Sequence, residues 1–150
     1  MASRAIGDLS ATMQVYYNKF ADRCRRDVEL QKLGVSVLLI CTYRSNDEQE
    51  KLFAQGRTAP GAIVTRARGG KSRHNATLSG TAVPAAAAFD VVPLLYGKPM
   101  WSAVDRPETP EDEAWIWGRV GDHGMAVGLK WYGHPDAAFR EFPHFQDPDV

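Results

Sequence analysis

The sequence lacks the features that direct a chain into or across a membrane. The first eight residues contain no apolar core of the kind that a secretory signal peptide carries. No apolar run approaches the ~20 residues that a membrane-spanning helix needs. We therefore expect synthesis in a cytoplasm without a signal peptide, and no insertion into a membrane. If the substrate lies outside the cell, another agent must release the protein.

An excess of charge of either sign is also missing. Lysine and arginine together number 18, and so do aspartate and glutamate. This balance leaves no overall field that would attract nucleic acid or an anionic membrane, so we expect no nucleic-acid partner. One local basic stretch contains Arg57, Arg66, Arg68, Lys71 and Arg73. It is typical of a solvated loop, and the alternative is a patch that contacts an anionic substrate.

Cysteine is scarce, with only Cys24 and Cys41 among 150 residues. Neither a CxxC pair nor zinc-finger spacing is present. Both cysteines lie in apolar segments, where a free thiol behaves as a small buried hydrophobe. We expect two core thiols, although a single bridge between them stays open. The length and the apolar content of 44% suit one domain over residues 1–150.

Hydrophobic periodicity predicts a few helices followed by short strands. Helices are predicted over residues 9 to 31, 47 to 55 and 111 to 125. Strands are predicted over residues 35 to 42, 86 to 92, 128 to 131 and 144 to 146, and Pro93 is expected to stop the second of them. Residues 57 to 85 have no clear period and predict a long ordered loop. This order predicts an α+β fold in which helices pack on a small antiparallel sheet.

Two histidines and one aspartate suggest a metal site. His74 lies in the long loop, and His144 begins the last predicted strand, three residues after Glu141. Asp90 lies within an apolar strand, where a carboxylate is costly to bury unless it is paired or bound to a cation. Two imidazoles and one carboxylate suit zinc, and three protein ligands leave one position open for water. The helix-based HExxH motif is absent.

The chain resembles the M15 family of zinc D,D-carboxypeptidases and L-alanyl-D-glutamate peptidases, notably phage endolysins. Four segments carry the resemblance, in the order of the family: Thr42-Tyr-Arg44-Ser45 with Glu48-Gln49 and Gln55-Gly-Arg57-Thr58; Ser72-x-His74; Ala88-x-Asp90-x-x-Pro93; and Gly128-Leu-x-Trp131 leading to Pro143-His144-Phe145. They extend over about residues 35 to 146. The resemblance implies the hedgehog/DD-peptidase-like version of the predicted α+β fold.

The resemblance also implies roles for particular side chains. His74, Asp90 and His144 match the residues that bind Zn²⁺ in the family. Glu141 matches the catalytic carboxylate, which activates water and returns its proton to the leaving amine. Arg44 matches an arginine that lies near the substrate and stabilises developing negative charge.

Two further residues match positions of the family, and the chain departs from the family pattern at two places. Gln49 and Ser72 match positions that line the substrate site. Residues 75 to 87 insert a longer segment between the first two expected zinc ligands than many relatives have. Glu141 stands where many relatives carry aspartate, which has the same acid–base chemistry.

The function implied by the resemblance is zinc-dependent hydrolysis of the peptidoglycan stem peptide. The leading expectation is cleavage of the bond between L-alanine and D-glutamate by a monomeric phage endolysin without a separate wall-binding domain. A D,D-carboxypeptidase or a D-Ala-D-Ala dipeptidase on the same scaffold is the runner-up. A wall-binding module that has lost turnover is the rival from another class.

Overall fold

The computed structural model describes residues 2–101 and 111–150. Its strands are β1 Val35–Cys41, β2 Ala88–Leu95, β3 Lys98–Pro99, β4 Lys130–Trp131 and β5 His144–Gln146. They form one antiparallel sheet in the order β1-β2-β5-β4, and β3 pairs with β2 beside this path. Among the described residues, no helix combines the length and apolar character that crossing a bilayer requires.

The helices pack around this sheet. Within the described ranges they are α1 Ala11–Arg26, α2 Val28–Leu33, α3 Asn46–Ala54 and α4 Glu111–Ala126, with short 3₁₀ turns at Ile6–Asp8 and Arg73–Asn75. Helices α1 and α4 contact each other, α1 contacts β1, and α4 contacts β2 and β4. The predicted α+β class with a small antiparallel sheet is therefore confirmed.

The aromatic core lies on one face of strands β2 and β5. Phe89 and Phe145 face each other across the two strands, and their rings stack with centroids 5.4 Å apart. Phe20 from α1 packs on Phe145 at 5.0 Å. Because successive side chains of a strand point to opposite faces, the neighbours Asp90 and His144 project away from this core. One register therefore sets both the core packing and the position of two candidate site residues.

Two glycines allow α4 to approach the sheet closely. A Cβ at Gly121 would lie 2.3 Å from the Trp131 ring, and a Cβ at Gly124 would lie 2.3 Å from the Phe145 ring. Alanine at either position would push the helix off the strands that carry these rings. The predicted core thiols are confirmed as well, because Cys24 and Cys41 are both buried and free.

The predicted helix over residues 9 to 31 is wrong at one point, since two helices meet at Asp27. The backbone of Asp27 is extended, and its carboxylate accepts hydrogen bonds from the amides of Glu29 and Leu30 at 3.0 and 3.2 Å. Arg119 and His123 of α4 donate to the same carboxylate, each at 2.6 Å. Asp27 thus ends α1 and caps the start of α2. Apolar periodicity alone does not detect such a break.

The expectation that Pro93 ends the second strand is also wrong, because β2 continues to Leu95. The amide of Val91 donates to the carbonyl of Pro143 at 3.1 Å, on the side of β2 that faces β5. Two residues further on, the missing N–H of Pro93 points to that same side, beyond the last pairing with β5. The carbonyl of Pro93 accepts from the Met100 amide at 3.0 Å, and the Met100 carbonyl accepts from Trp117 Nε1 at 3.1 Å, so β2 continues although proline cannot donate the return bond.

Replacing the buried Asp27 carboxylate tests the junction between α1, α2 and α4. Asp27→Asn keeps a capping side chain but removes the charge, so we expect the free energy of unfolding at pH 7 to fall by about 1.5–3 kcal/mol. The matched control is Asp22→Asn, which removes an exposed ion pair with Arg26. That change should cost less than about 0.5 kcal/mol in the same urea titration. Equal effects of the two substitutions would contradict the assignment.

The same junction predicts a pH dependence of stability. The hydrogen bond from Arg119, aided by that from His123, holds the pKa of Asp27 well below its ordinary 3.8. A lowered carboxyl pKa stabilises the fold above the unfolded-state value, and this contribution is lost as the pH falls through the folded-state value. The difference between wild type and Asp27→Asn should therefore shrink as the pH is lowered from about 4 to about 2.

Candidate metal centre

Three side chains that are distant in sequence converge on one point. His74 Nε2 lies 3.0 Å from Asp90 Oδ1, and His144 Nδ1 lies 3.2 Å from each of those two atoms. The 3₁₀ turn of the long loop supplies His74, and the pairing of β2 with β5 places Asp90 opposite His144. The structure thus brings together the three residues that the sequence suggests as metal ligands.

The outer nitrogen of each imidazole is engaged by an acceptor. His74 Nδ1 donates to the backbone carbonyl of Thr42 at 2.8 Å, and His144 Nε2 donates to Gln146 Oε1 at 2.9 Å. These bonds fix the tautomer of each ring, so the lone pair of the other nitrogen points inward. Together with Asp90 Oδ1, three electron-rich atoms face one another.

Such a cluster requires a positive charge at its centre, either a proton or a metal ion. Burial lowers the pKa of His74, whereas for His144 the hydrogen bond and charge of Asp90 outweigh burial and raise the pKa. Burial alone would raise the pKa of Asp90, but the two imidazoles lower it well below its ordinary value. Zinc bonds of about 2.0–2.1 Å in tetrahedral geometry separate ligand atoms by roughly 3.3 Å, close to the spacing found here.

Cys41 offers an alternative third ligand. Its sulfur, His74 and Asp90 supply atoms that all lie within 4.8 Å of one another. However, the sulfur lies 3.6 Å from His74 Nδ1, the nitrogen that already binds a carbonyl, and it accepts a hydrogen bond from Arg44. Burial raises the pKa of the thiol to about 12, so it is neutral in the metal-free site. The inward nitrogen of His144 is therefore the better-placed donor.

Arg44 borders the cluster and is held in place by Gln49. Its Nη2 lies 3.4 Å from Asp90 Oδ2, and its Nη1 donates to Gln49 Oε1 at 2.8 Å. Gln49 in turn donates to the carbonyl of Ala67 at 2.8 Å and is fully buried. Gln49 is not among the residues that line the cleft and is linked to the centre through Arg44, so its predicted contact with substrate stays a prediction.

Ser72 and Asn75 fix the turn that carries His74. The Ser72 hydroxyl accepts from the His74 amide at 3.2 Å, and Asn75 Oδ1 accepts from the amides of Gly70 and Ser72, both at 3.1 Å. Asn75 Nδ2 donates to the carbonyl of Arg44 at 2.7 Å, and the Arg44 amide donates to the carbonyl of His74 at 3.0 Å. The loop turn and the end of β1 are thus joined directly.

Three of these supporting groups were missed from the sequence. Gln146 stands two residues after His144 in a strand, so its projection to the same side could have been anticipated. Asn75 follows Ser72 at the spacing of a capping box, which is a recognisable signal. Thr42 contributes a backbone carbonyl, and no residue type encodes that.

Glu141 lies beside the cluster at the start of the turn into β5. Its amide donates to the carbonyl of Tyr132 at 2.9 Å, and its carbonyl accepts from the His144 amide at 3.1 Å. Burial raises the pKa of its carboxyl, the positive charge on His144 acts in the opposite direction, and the Asp90 charge adds to the rise. A half-buried carboxyl with a raised pKa at this position is suited to accepting a proton and returning it.

The cluster lies in a cleft of about 1290 Å³ between the long loop and the segment that joins β4 to β5. The predicted site residues that line this cleft are Arg44, Ser72, His74, Asp90, Glu141 and His144. A metal-binding set, an ionisable carboxyl and a guanidinium around one cleft are the components of metal-assisted hydrolysis.

Comparisons with known proteins give a similar sequence and a similar fold. No protein-family model matches the chain. The chain is 32% identical over 115 residues to the peptidoglycan L-alanyl-D-glutamate endopeptidase CwlK of Bacillus subtilis (strain 168). The aligned region covers 75% of this chain and 61% of CwlK, so this chain spans less than two thirds of that relative.

The fold has a counterpart among solved structures. The crystal structure of the Serratia marcescens L-Ala D-Glu endopeptidase ChiX aligns over 97% of this chain and 87% of its own, with a TM-score of 0.55 and 15% sequence identity. At that identity the match concerns the fold alone. The similarity in sequence to CwlK and in fold to ChiX agrees with the resemblance that the motifs carry.

Proposed function

We propose that this protein is a zinc-dependent peptidase that hydrolyses the bond between L-alanine and D-glutamate in the peptidoglycan stem peptide. The observation that carries the proposal is the convergence of His74 Nε2, Asp90 Oδ1 and His144 Nδ1 within 3.2 Å of one another, at a cleft that Glu141 also lines. The names of the two similar proteins, both L-alanyl-D-glutamate endopeptidases, support the choice of bond.

His74, Asp90 and His144 would hold the zinc ion. When bound, zinc supplies polarisation of the scissile carbonyl and a lowered pKa for water in the site. Thr42 and Gln146 orient the two imidazoles toward the ion, and partners of this kind raise metal affinity.

Glu141 and Arg44 carry out the proton transfer and the charge stabilisation that hydrolysis needs. Glu141 takes a proton from the attacking water and delivers it to the leaving amine, a role that the raised pKa of its carboxyl suits. Arg44 stabilises negative charge that develops on the carbonyl oxygen, and a group of this kind typically lowers the barrier by about 2.7–4 kcal/mol. Gln49 holds Arg44 in position by accepting a hydrogen bond from its Nη1.

The wider proposal is that of an endolysin. The motif segments resemble those of phage endolysins, and we propose that residues 1–150 act as a single, monomeric catalytic domain on the wall of the host after release. A D,D-carboxypeptidase or D-Ala-D-Ala dipeptidase would use the same centre on a different bond. The retention of Glu141 and Arg44 beside a complete ligand set argues against a wall-binding module without turnover.

Digestion of purified peptidoglycan tests which bond is cleaved. New termini identified by mass spectrometry should carry the amine of D-glutamate, before but not after removal of the metal by a chelator. Release of D-alanine or of D-alanyl-D-alanine would instead support the alternative enzymes. The absence of any new terminus from metal-loaded protein would reject a peptidase on this substrate.

Gln146→Leu tests the inward orientation of His144. Leucine has a similar volume but removes the acceptor of the His144 Nε2 proton. We expect the affinity for zinc, measured by competition with a chromophoric chelator, to fall roughly 10–100-fold while the protein stays folded. The control is Gln55→Leu, since Gln55 is a glutamine outside the cleft that bonds the carbonyl of Ala62. An unchanged zinc affinity in Gln146→Leu would remove this support from the site.

Glu141→Gln separates catalysis from metal binding. The substitution keeps the shape of the side chain but removes its capacity to take a proton. We expect one bound zinc per chain and a fall in kcat of about 10²–10⁴-fold, measured on soluble stem-peptide fragments. Hydrolysis at the wild-type rate would show that another group is the base.

A further inference from the structure

The basic stretch of the long loop divides into two sets in the structure. Arg57 donates to the carbonyl of Phe53 and lies 3.8 Å from the centroid of its ring. Arg68 pairs with Glu50 at 3.2 Å. Both side chains are therefore used to attach the loop to α3, as a solvated structural loop requires.

Among the described residues, the other three cations form no ion pair or hydrogen bond that attaches the loop to α3. Arg66, Lys71 and Arg73 are exposed and line the cleft, and we call them the cationic wall. Within the described part of the chain, none of them pairs with a carboxylate. The guanidinium of Arg66 lies 4.9 Å from the centroid of the Phe139 ring, on the segment that joins β4 to β5. The cationic wall thus presents positive charge to a molecule that enters the cleft.

The acidic residues of the cleft do not cancel this charge. Asp90 is enclosed by the two imidazoles and Arg44. Asp136 is 91% exposed and lies 3.6 Å from His134. Glu141 lies beside the metal centre, where its own carboxyl is half-buried. The lysines and arginines that line the cleft outnumber these three acids, and a cleft with an excess of one sign of charge concentrates ligands of the opposite sign.

Three of the five N–H groups of Arg44 are already engaged by groups within the protein. Nη1 donates to Gln49, and Nη2 is shared between Cys41 and Asp90. A two-pronged pairing between guanidinium and carboxylate needs two free N–H groups on one edge. The exposed cationic wall, whose members pair with no carboxylate among the described residues, is therefore better placed to receive an anionic group of the substrate.

We propose that the cationic wall binds the free α-carboxylate of the D-glutamate residue in the substrate, and that it selects against the amidated form. This inference rests on the proposed function. In an L-alanyl-D-glutamate bond, the carbon that bears this carboxylate is attached directly to the scissile nitrogen, so the carboxylate must lie beside the reacting centre. Arg73 directly precedes His74 in its 3₁₀ turn, and Lys71 lies two residues before Arg73, so both cations are closer to His74 along the chain than Arg66 is.

Two soluble disaccharide-tripeptides test the proposal, one with D-glutamate and one with D-isoglutamine, whose α-carboxylate is replaced by an amide. We expect zinc-loaded wild type to favour the acid by roughly tenfold or more in kcat/KM, as a charge-assisted hydrogen bond would give. Arg73→Gln and Lys71→Gln should each raise KM for the acid by about tenfold and thereby reduce the preference for the acid over the amide. Arg68→Gln, which removes a charge from the same loop outside the cleft, should leave the preference intact.

A binding measurement separates failure of this inference from failure of the proposed function. Glu141→Gln protein should bind the acid tripeptide more tightly than the amide in calorimetry, and adding Arg73→Gln should abolish the difference. Equal affinities for the two peptides would overturn the cationic wall while leaving the peptidase intact. No cleavage of either peptide by zinc-loaded wild type would instead count against the proposed function.

A third outcome concerns a different anion. If Lys71→Gln and Arg73→Gln weaken binding to whole cell walls that carry anionic polymers, and leave both peptide affinities unchanged, then the cationic wall of the protein binds those polymers. That result would also overturn the proposal.

Discussion

The structure depends on three electron-rich atoms held within 3.2 Å of one another in a largely buried place. An arrangement of this kind is stable only around a positive charge, because burial raises the cost of leaving such groups uncompensated. The pairing of β2 with β5 sets Asp90 against His144 on one face and Phe89 against Phe145 on the other. The hydrophobic core therefore determines the spacing of the centre, and the site cannot change register without disrupting the core.

The long loop brings the third ligand to this rigid frame. Its segment before His74 is attached to α3 by the bonds of Gln49 and Glu50, and Asn75 joins the turn itself to the end of β1. The insertion between the ligands closes on itself, since the amide of Ala85 donates to the carbonyl of Ala76 at 2.9 Å. A longer surface loop adds little closure entropy when its ends stay together. His74 and Asp90 therefore meet despite the insertion.

The sequence allowed much of this to be predicted, for identifiable reasons. The α+β class follows from apolar periodicity, and the convergence of His74, Asp90 and His144 follows from motif order. The break at Asp27 was missed because a cap depends on partners 92 and 96 residues away. Burial of Gln49 was missed because a match to a motif does not reveal whether the side chain faces the cleft or lies behind a residue that does. Likewise, no local signal separates the loop cations that attach the loop to α3 from those that line the cleft.

The central claim is that one divalent ion is held by two imidazoles and one carboxylate. Diffraction from zinc-loaded crystals at the zinc absorption edge tests it most directly. The account predicts a single anomalous peak at about 2.0–2.2 Å from His74 Nε2, Asp90 Oδ1 and His144 Nδ1. A peak bonded to the Cys41 sulfur at about 2.3 Å without His144, or no peak in this cleft, would contradict it.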